Sequence, residues 1–202
     1  ALVCRGTSCR LAESAPEQPG PETGRSIHCA GYCDRSPVVL RADGVVVRSG
    51  SDAPLAPLPE IRSTARRAIV TERIARGDHH GLAQAREAGV WSALERAVRG
   101  EPASVLQALE ASGERGRGGA GFPTGAKWRH AAASPGPEKY AIANGDEGDP
   151  GSFVDRVLLE SDPHALLEGL ALCAFAIGAR HGIVYARSEY PRAAERVVIV
   201  GA

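Results

Sequence analysis

A glycine-rich stretch between Ser112 and Gly125 places the strongest limit on how this chain can fold. Glycine has no Cβ, so it weakens the interior of a helix or strand but lets the backbone turn sharply and approach a bound group closely. The stretch therefore predicts a loop. Its backbone N–H groups are suited to contact a phosphate or a flat ring, and the competing interpretation is a flexible turn without a ligand.

Neither of two common nucleotide-binding loops describes this stretch well. A P-loop needs a lysine followed by Ser or Thr, whereas Lys127 is followed by Trp128. Gly116, Gly118 and Gly121 match the letters of the Rossmann fingerprint. That motif follows a strand, however, and the residues before Gly116 predict a helix, so the match is weak.

The residues around the loop alternate between predicted helices and strands. Helices are expected over residues 89–98, 103–111, 127–133 and 163–179, and strands over 139–143 and 183–186. Asp162 is placed to cap the last of these helices, because its carboxylate can accept bonds from first-turn amides. A further helix or strand is expected from Ala193, and the final run 197–202 is strand-like. The order predicts an α/β domain.

The beginning of the chain has the pattern of a separate small unit. Residues 37–47 contain two β-branched runs around Asp43 and Gly44, a pattern typical of a β-hairpin. Residues 51–60 are rich in proline and predict a linker, and a short strand and helix are expected over 61–76. We therefore divide the chain into a unit over 1–50, a linker over 51–80 and a unit over 81–202.

Cysteine spacing indicates a metal site in the first unit. Four of the five cysteines form two close pairs, Cys4 with Cys9 and Cys29 with Cys33. With no secretory signal visible, such pairs favour metal ligation over disulfides. Thiolates suit either zinc or an iron–sulfur cluster, and the spacing excludes neither; a third alternative is that no metal is retained. Cys173 is expected to be a small core residue.

Composition excludes several functional classes. Lys and Arg number 24 and Asp and Glu number 24, so nothing indicates a basic surface for nucleic acid. The longest apolar stretch, residues 170–179, is shorter than the roughly 20 residues that a membrane-spanning helix needs. The chain has no Met, so Ala1 is not a translation start, and we expect both ends to be cut.

The full glycine string resembles the 51-kDa-type FMN- and NADH-binding flavoprotein subunit of complex I, and its relatives in NAD-linked hydrogenases and formate dehydrogenases. The string runs from Gly116 through Gly125 to Lys127 and Trp128. The next motifs of that family are matched at residues 144–153, 155–156, 163–164 and 185–191. The resemblance covers about residues 85–192, with the same order and spacing throughout.

This resemblance implies an incomplete Rossmann-like α/β domain that binds FMN and NAD(H). The cofactor-binding residues that it implies are Gly116, Arg117, Gly118, Gly119, Ala120, Gly121, Phe122, Gly125, Lys127, Asn144, Asp146 and Glu147. Their chemistry agrees, since Lys127 supplies a fixed positive charge and Asn144 both donates and accepts. No catalytic side chain is expected, because the cofactors carry the hydride chemistry. Calcium binding by the acidic loop is the alternative, although the loop lacks EF-hand spacing.

The cysteine pairs, followed by Pro37 and the hairpin, resemble the thioredoxin-like [2Fe–2S] ferredoxin, the 24-kDa-type subunit of complex I. The resemblance implies that Cys4, Cys9, Cys29 and Cys33 hold a [2Fe–2S] cluster. The spacer between the pairs is shorter than in that family. We therefore expect a small thioredoxin-like [2Fe–2S] remnant ahead of the flavin domain.

Together the two resemblances imply an NADH-oxidising module that passes hydride to FMN and then electrons to iron–sulfur centres of a larger dehydrogenase or hydrogenase complex. Its partners would be the other subunits of that complex, with no nucleic acid and no membrane span of its own. The expected location is the cytoplasm, or the periphery of a membrane complex. The alternative is a truncated, non-catalytic fragment that acts at most as a [2Fe–2S] electron carrier or docking module, because the family flavoprotein is considerably longer than the matching part.

Overall fold

The computed structural model describes residues 2–4, 9, 11, 25–27, 30, 32, 35–43, 45–55, 64–74, 81–149, 152–187 and 190–201 of the 202-residue chain. These residues form one mixed sheet near the N-terminus and a parallel strand pair packed with helices further along. The predicted α/β class is therefore confirmed.

The described elements follow each other in a simple order. Four short strands come first: β1 (Leu2–Cys4), β2 (Arg25–Ile27), β3 (Val38–Leu40) and β4 (Val46–Arg48). Three helices follow: α1 (Leu82–Glu87), α2 (Ser92–Ala97) and α3 (Pro102–Ser112). The remaining elements are α4 (Thr124–Ala133), β5 (Tyr140–Gly145), α5 (Val154–Ser161), α6 (Pro163–Ile177), β6 (His181–Ala186) and α7 (Pro191–Gly201).

The N-terminal strands form a four-stranded sheet in the order β2-β1-β3-β4. Strand β1 runs parallel to β2 and antiparallel to β3, and β3 pairs antiparallel with β4. The predicted hairpin is confirmed, since Leu40 pairs with Val46 and the Arg41 N–H donates to the Val45 carbonyl at 2.9 Å. The thioredoxin-like assignment stays a prediction, because most residues between β1 and β2 lie outside the described ones.

The second sheet is a parallel pair that determines where the polar loops lie. Strands β5 and β6 pair in register from Tyr140 with His181 to Gly145 with Ala186. Helices α5 and α6 connect them and pack against the pair, so a Cβ built on Gly145 would come within 2.8 Å of Leu159. Because the strands are parallel, their carboxyl ends meet at one edge. The segments after Gly145 and Ala186 therefore lie side by side.

Helix α6 has the ends that its sequence predicts. The Asp162 carboxylate accepts from the Ala165 N–H at 3.3 Å, which confirms the predicted cap. Pro163 occupies the first turn, where its missing N–H costs nothing. Gly178, at φ 74°, ends the helix in the left-handed conformation that glycine tolerates. The helix therefore ends at Ile177, two residues before the predicted limit.

The helix predicted over residues 89–98 is present but shorter, since α2 spans Ser92–Ala97. Gly89 has φ 87° and Trp91 has φ 75°, and these left-handed residues separate α1 from α2. A right-handed helix does not continue through such residues. Helix α2 instead begins where the Ala93 and Leu94 N–H groups donate to the Glu168 carboxylate at 2.9 and 3.1 Å. That tertiary contact could not be inferred from local spacing.

Three further expectations need correction. Residues 197–201 of the strand-like run lie inside helix α7, because a continuous apolar run does not distinguish a strand from a helix; the last residue lies outside the described ones. Helix α5 was not predicted. The strand and helix expected over 61–76 are not found in the described residues 64–74, where the backbone forms turns.

No helix in the described part of the chain is both long and apolar enough to cross a membrane.

The packing of α3 on α4 yields a stability prediction at Gly125. A Cβ built there would lie 2.8 Å from the Glu110 nitrogen and 2.9 Å from its Cα. Because these are backbone atoms, Gly125→Ala must push the helices apart, and we expect it to lower the free energy of unfolding by roughly 1–3 kcal/mol. Urea denaturation measures the change.

Gly169→Ala is the matched control, since this exposed glycine lies inside α6 and its built Cβ meets nothing within 4 Å. We expect Gly169→Ala to raise the free energy of unfolding by about 0.5–1 kcal/mol, because alanine favours the helix over glycine. Equal stability changes at the two positions would contradict the close packing of α3 and α4.

Candidate functional site

The glycine-rich stretch forms a loop closed at its base. The Gly116 N–H donates to the Phe122 carbonyl and the Thr124 N–H donates to the Glu114 carbonyl, both at 2.9 Å. Arg115 and Pro123 form an isolated antiparallel bridge at the same point. These bonds define a tip over residues 117–121, which leads directly into the first turn of α4.

The tip presents its backbone to solvent. Gly119 and Gly121 have φ values of 105° and 60°, which explains why glycine is needed there. A Cβ built on Gly118 or Gly119 would meet no atom within 4 Å. Among the described residues, no acceptor is bonded to the N–H groups of residues 117–121. Such donors fit an anionic or flat ligand.

Lys127 adds a positive charge to this region. It lies exposed in the first turn of α4 and makes no ion pair with any residue that the structure describes. Arg117, by contrast, is paired with Glu114 at 3.2 Å. Phe122 is 51% exposed, so its side chain is partly open to solvent. Gly125 has a separate reason to be glycine, namely its contact with Glu110.

The loop after β5 is shaped by its own side chains. The Asn144 side-chain oxygen accepts from the Asp146 N–H at 3.0 Å, and Asn144 is exposed at the end of the strand. The Asp146 carboxylate lies 3.7 Å from the Arg187 guanidinium. Arg187 also donates to the Glu147 carbonyl at 3.0 Å. Arg187 therefore ties this loop to the end of β6.

Glu147 is 7% exposed, and its carboxylate is bonded within the protein. One oxygen accepts from the Val154 N–H at 2.6 Å, the Asp155 N–H at 3.4 Å and the Ser152 hydroxyl. The other accepts from the Tyr190 hydroxyl at 3.2 Å. Glu147 thus satisfies the amides at the start of α5, whose own N-cap residue supplies no side-chain bond. A direct contact from Glu147 to a cofactor stays a prediction.

Three residues near this loop were not predicted as site residues: Arg156, Arg187 and Tyr190. Sequence reasoning matched all three to family motifs but gave none of them a role. For Arg187 and Tyr190, the signal that could have found them is topological, since both follow the strand that pairs with β5. Burial raises the pKa of Tyr190 to about 12, with the negative charge of Glu147 adding to the effect. Tyr190 therefore stays a neutral donor.

The predicted site residues fall into two groups. Asn144, Asp146 and Glu147 are brought together with Arg187 and Tyr190 at the carboxyl edge of the strand pair. Residues 116–127 form the second group. Within the described ranges, no hydrogen bond or ion pair joins one group to the other.

Only half of the predicted cysteine quartet can be located. Cys4 and Cys9 are each 2% exposed and share one core cluster with Ala30, Tyr32 and Val38. The Ala30 N–H donates to the Cys4 sulfur at 3.3 Å. Cys29 and Cys33 lie outside the described residues, so the quartet stays a prediction.

Cys173 is half-buried on α6, and burial raises the pKa of its thiol while the Lys127 charge partly offsets the effect.

Comparison with known proteins finds a family similar to the second half of the chain. Residues 109–198 match the family of the Nuo51 FMN-binding domain. This part of the chain is therefore similar to that family. The resemblance inferred from the glycine string is therefore confirmed.

Several curated relatives share this region. An NADH-quinone oxidoreductase subunit of Aquifex aeolicus is 40% identical over 134 residues, which cover 66% of this chain and 31% of the relative. The NADP-reducing hydrogenase subunit HndC of Solidesulfovibrio fructosivorans is 48% identical over 53% of this chain and 22% of its own length. The alpha subunit of the NAD-reducing hydrogenase HoxS of Cupriavidus necator is 48% identical over 99 residues, which cover 49% of this chain and 16% of the relative. The chain thus spans less than a third of each of these relatives.

A solved structure extends the similarity to the N-terminal region. The crystal structure of an NAD⁺-reducing [NiFe]-hydrogenase in the H₂-reduced state matches with a TM-score of 0.65 and 28% identity. The match covers 98% of this chain and 38% of the hydrogenase chain. The fold similarity therefore includes residues outside the Nuo51 FMN-binding domain.

The contact between Tyr190 and Glu147 predicts a loss of stability in Tyr190→Phe. This change leaves one carboxylate oxygen of Glu147 without its hydroxyl donor, so we expect the free energy of unfolding to fall by roughly 1–2 kcal/mol. Urea denaturation at neutral pH measures it. Tyr185→Phe is the control, because that side chain is 55% exposed and should change stability by less than about 0.5 kcal/mol.

Tyr190 also gives a prediction for alkaline pH. Its pKa rises on folding from about 10 to about 12, so the folded state holds this proton more tightly. The resulting stabilisation is complete below the unfolded pKa and is lost as pH rises through the folded value. Between about pH 10 and pH 12, the free energy of unfolding should therefore fall more steeply with pH in the wild type than in Tyr190→Phe. Parallel curves would mean that Tyr190 is not the group responsible.

Proposed function

We propose that this chain is an NADH-oxidising flavoprotein module that passes hydride to FMN and then electrons to iron–sulfur centres of a larger dehydrogenase or hydrogenase complex. One observation carries the proposal. Within a segment of the Nuo51 FMN-binding domain family, the exposed tip over residues 117–121 has amides without an acceptor among the described residues. Lys127 follows this tip and has no ion pair in the same part of the chain. This arrangement suits the phosphate of FMN.

Each group in the site has a proposed role. Backbone N–H groups of residues 117–121 and the Lys127 ammonium would hold the FMN phosphate. The exposed Asn144 amide would donate to the ribityl chain or to the edge of the ring. Phe122 offers an accessible ring for stacking. When bound, FMN supplies the redox chemistry, accepting two electrons as hydride and releasing them one at a time.

The substrate and partners are proposed from the relatives. The Aquifex relative is named as a subunit of an NADH-quinone oxidoreductase, and the Cupriavidus relative as a subunit of an NAD-reducing hydrogenase. We therefore propose NADH as the electron donor and other subunits of such a complex as partners. Glu147, Arg187 and Tyr190 would act indirectly, by fixing the shape of the loop that contains Asn144 and Asp146.

The N-terminal region would supply the first electron acceptor. We propose that Cys4, Cys9, Cys29 and Cys33 hold a [2Fe–2S] cluster in a thioredoxin-like remnant over residues 1–50, joined by a linker over 51–80 to the flavin domain over 81–202. The N–H group that Ala30 directs at the Cys4 sulfur supports this, since such bonds stabilise thiolate ligands. Burial of Cys4 and Cys9 is also consistent with ligation.

A second candidate function has its own support. In the described part of the chain, no hydrogen bond or ion pair joins the two groups of predicted site residues. A non-catalytic [2Fe–2S] carrier or docking module is therefore the competing proposal. The two differ in whether the chain binds FMN.

FMN titration, followed by the quenching of flavin fluorescence, tests the flavin site. We expect saturable binding to the wild type and a Kd about 10-fold or more higher for Lys127→Gln, because a charged hydrogen bond to phosphate is lost. NADH should then bleach the visible absorbance of bound flavin.

Two controls accompany this titration. Arg99→Gln removes an exposed charge next to α2 and should bind FMN as the wild type does. Riboflavin lacks the phosphate, so its binding should be weak and insensitive to Lys127→Gln. Absence of saturable FMN binding to the folded wild type would overturn the flavoprotein proposal and favour the carrier or docking module.

Iron and acid-labile sulfide content tests the cysteine site. After anaerobic reconstitution, we expect both elements to be bound by the wild type and lost in Cys4→Ser, because each iron needs two thiolates. Cys173→Ser is the matched control and should keep the cluster. Bound zinc without sulfide would contradict the proposed [2Fe–2S] cluster.

A further inference from the structure

One buried arginine contacts both regions of the chain. Arg156 on α5 is 2% exposed. Its Nη1 donates to the Ala30 carbonyl at 2.8 Å, across 126 residues of sequence, and its Nε donates to Glu160 at 3.0 Å. Its guanidinium carbon lies 4.8 Å from the Tyr32 ring centroid and 5.4 Å from that of Tyr190. The cation thus lies near two aromatic rings from distant parts of the chain.

These contacts require an arginine. A buried cation is costly unless it is paired and hydrogen-bonded, and Glu160 together with the Ala30 carbonyl meets that need. A guanidinium is planar and can lie against aromatic rings while it donates to several acceptors, which an ammonium group cannot do in the same way. Each ring contact adds cation–π stabilisation that is strongest where water is excluded.

On one side, Arg156 supports the proposed cofactor loop. The Tyr190 ring that it contacts donates its hydroxyl to Glu147 at 3.2 Å. The same carboxylate accepts from the Val154 N–H at the start of α5, the helix that bears Arg156. These contacts form a closed network, since Arg156 contacts Tyr190, Tyr190 donates to Glu147, and Glu147 accepts from the start of α5, the helix that bears Arg156. The conformation at Glu147 therefore depends on where Arg156 lies.

On the other side, Arg156 contacts the N-terminal region. Ala30 and Tyr32 lie in sequence between Cys29 and Cys33, and both are buried. Both belong to the core cluster of Cys4 and Cys9, against which Phe153 also packs. Phe153 immediately precedes α5, so the helix start carries one apolar and one charged contact to this region.

We propose that Arg156 is a positioning residue that keeps the loop of residues 144–149 in its bonded shape only while Ala30 and Tyr32 are docked against it. The inference rests on the proposed function only in treating this loop as part of the cofactor site. Cofactor affinity in the second region then depends on the N-terminal region. The competing explanation is that Phe153 alone docks the two regions and Arg156 only fills space.

Amide hydrogen exchange of the full chain without cofactor tests the proposal. In Arg156→Lys we expect the Asp146, Val154 and Asp155 amides to exchange about 10-fold faster, because the ring contacts and the planar donor geometry are lost. Arg86→Lys is the control: that residue is exposed on α1 and should leave these amides unchanged. A folded Arg156→Lys protein with wild-type exchange would overturn the proposal.

A matched pair of variants at Tyr32 tests the long-range part. Tyr32→Leu removes the ring, and we expect it to speed exchange at Asp146, Val154 and Asp155 although Tyr32 is distant in sequence. Tyr32→Phe keeps the ring and should restore wild-type exchange. Equal exchange in the two variants would favour docking by Phe153 alone. The two Tyr32 variants also test whether Arg156 couples the two regions if Arg156→Lys does not fold.

FMN titration of the Tyr32 variants gives a second measurement. We expect Tyr32→Leu to raise the Kd about 10-fold, because loosening of the loop costs binding energy, while Tyr32→Phe binds as the wild type does. If the wild type binds no FMN, the proposed function fails, but the exchange experiment still decides whether Arg156 couples the two regions. If FMN binds and the Tyr32 variants bind alike, the coupling is contradicted and the flavin site stands.

Discussion

The parallel pairing of β5 with β6 is the constraint on which the rest of the site depends. Its register places Gly145 beside Ala186, so the chain leaves both strands at the same edge. Because of that register, Arg187 reaches the Glu147 carbonyl and Tyr190 reaches the Glu147 carboxylate. A one-residue shift of β6 would turn its side chains to the opposite face and separate these groups.

The buried carboxylate of Glu147 connects local structure to tertiary structure. It accepts from amides at the start of α5, a role that a capping residue usually fills, and it also accepts from the tyrosine that immediately precedes α7. A buried charge of this kind is tolerated because several donors satisfy it. The same helix start carries Phe153 and Arg156, which contact the N-terminal core. Helix α5 is therefore central to the contact between the two regions.

Much of the fold near the glycine loop was predictable from local signals. Glycine spacing, a capping Asp162 and apolar periodicity located α4, β5, α6 and β6 to within a few residues. Prediction failed where a distant contact decides the local structure. The left-handed Trp91 delays the start of the helix predicted from residue 89, and the Glu168 carboxylate accepts from an amide at the start of α2. Helix α5 was missed because its N-terminal acceptor lies seven residues earlier, at Glu147.

The sequence by itself determined the resemblance to the Nuo51 FMN-binding domain, the loop with its backbone donors and the positive charge of Lys127, because these depend on residue type and short spacing. Only the tertiary structure decided that Glu147 is turned inward, that Arg187 and Tyr190 hold its loop, and that Arg156 contacts Tyr32 across the chain. The physical reason is that a buried charge is stable only next to particular partners. Parallel pairing and helix packing bring those partners together from positions far apart in the sequence.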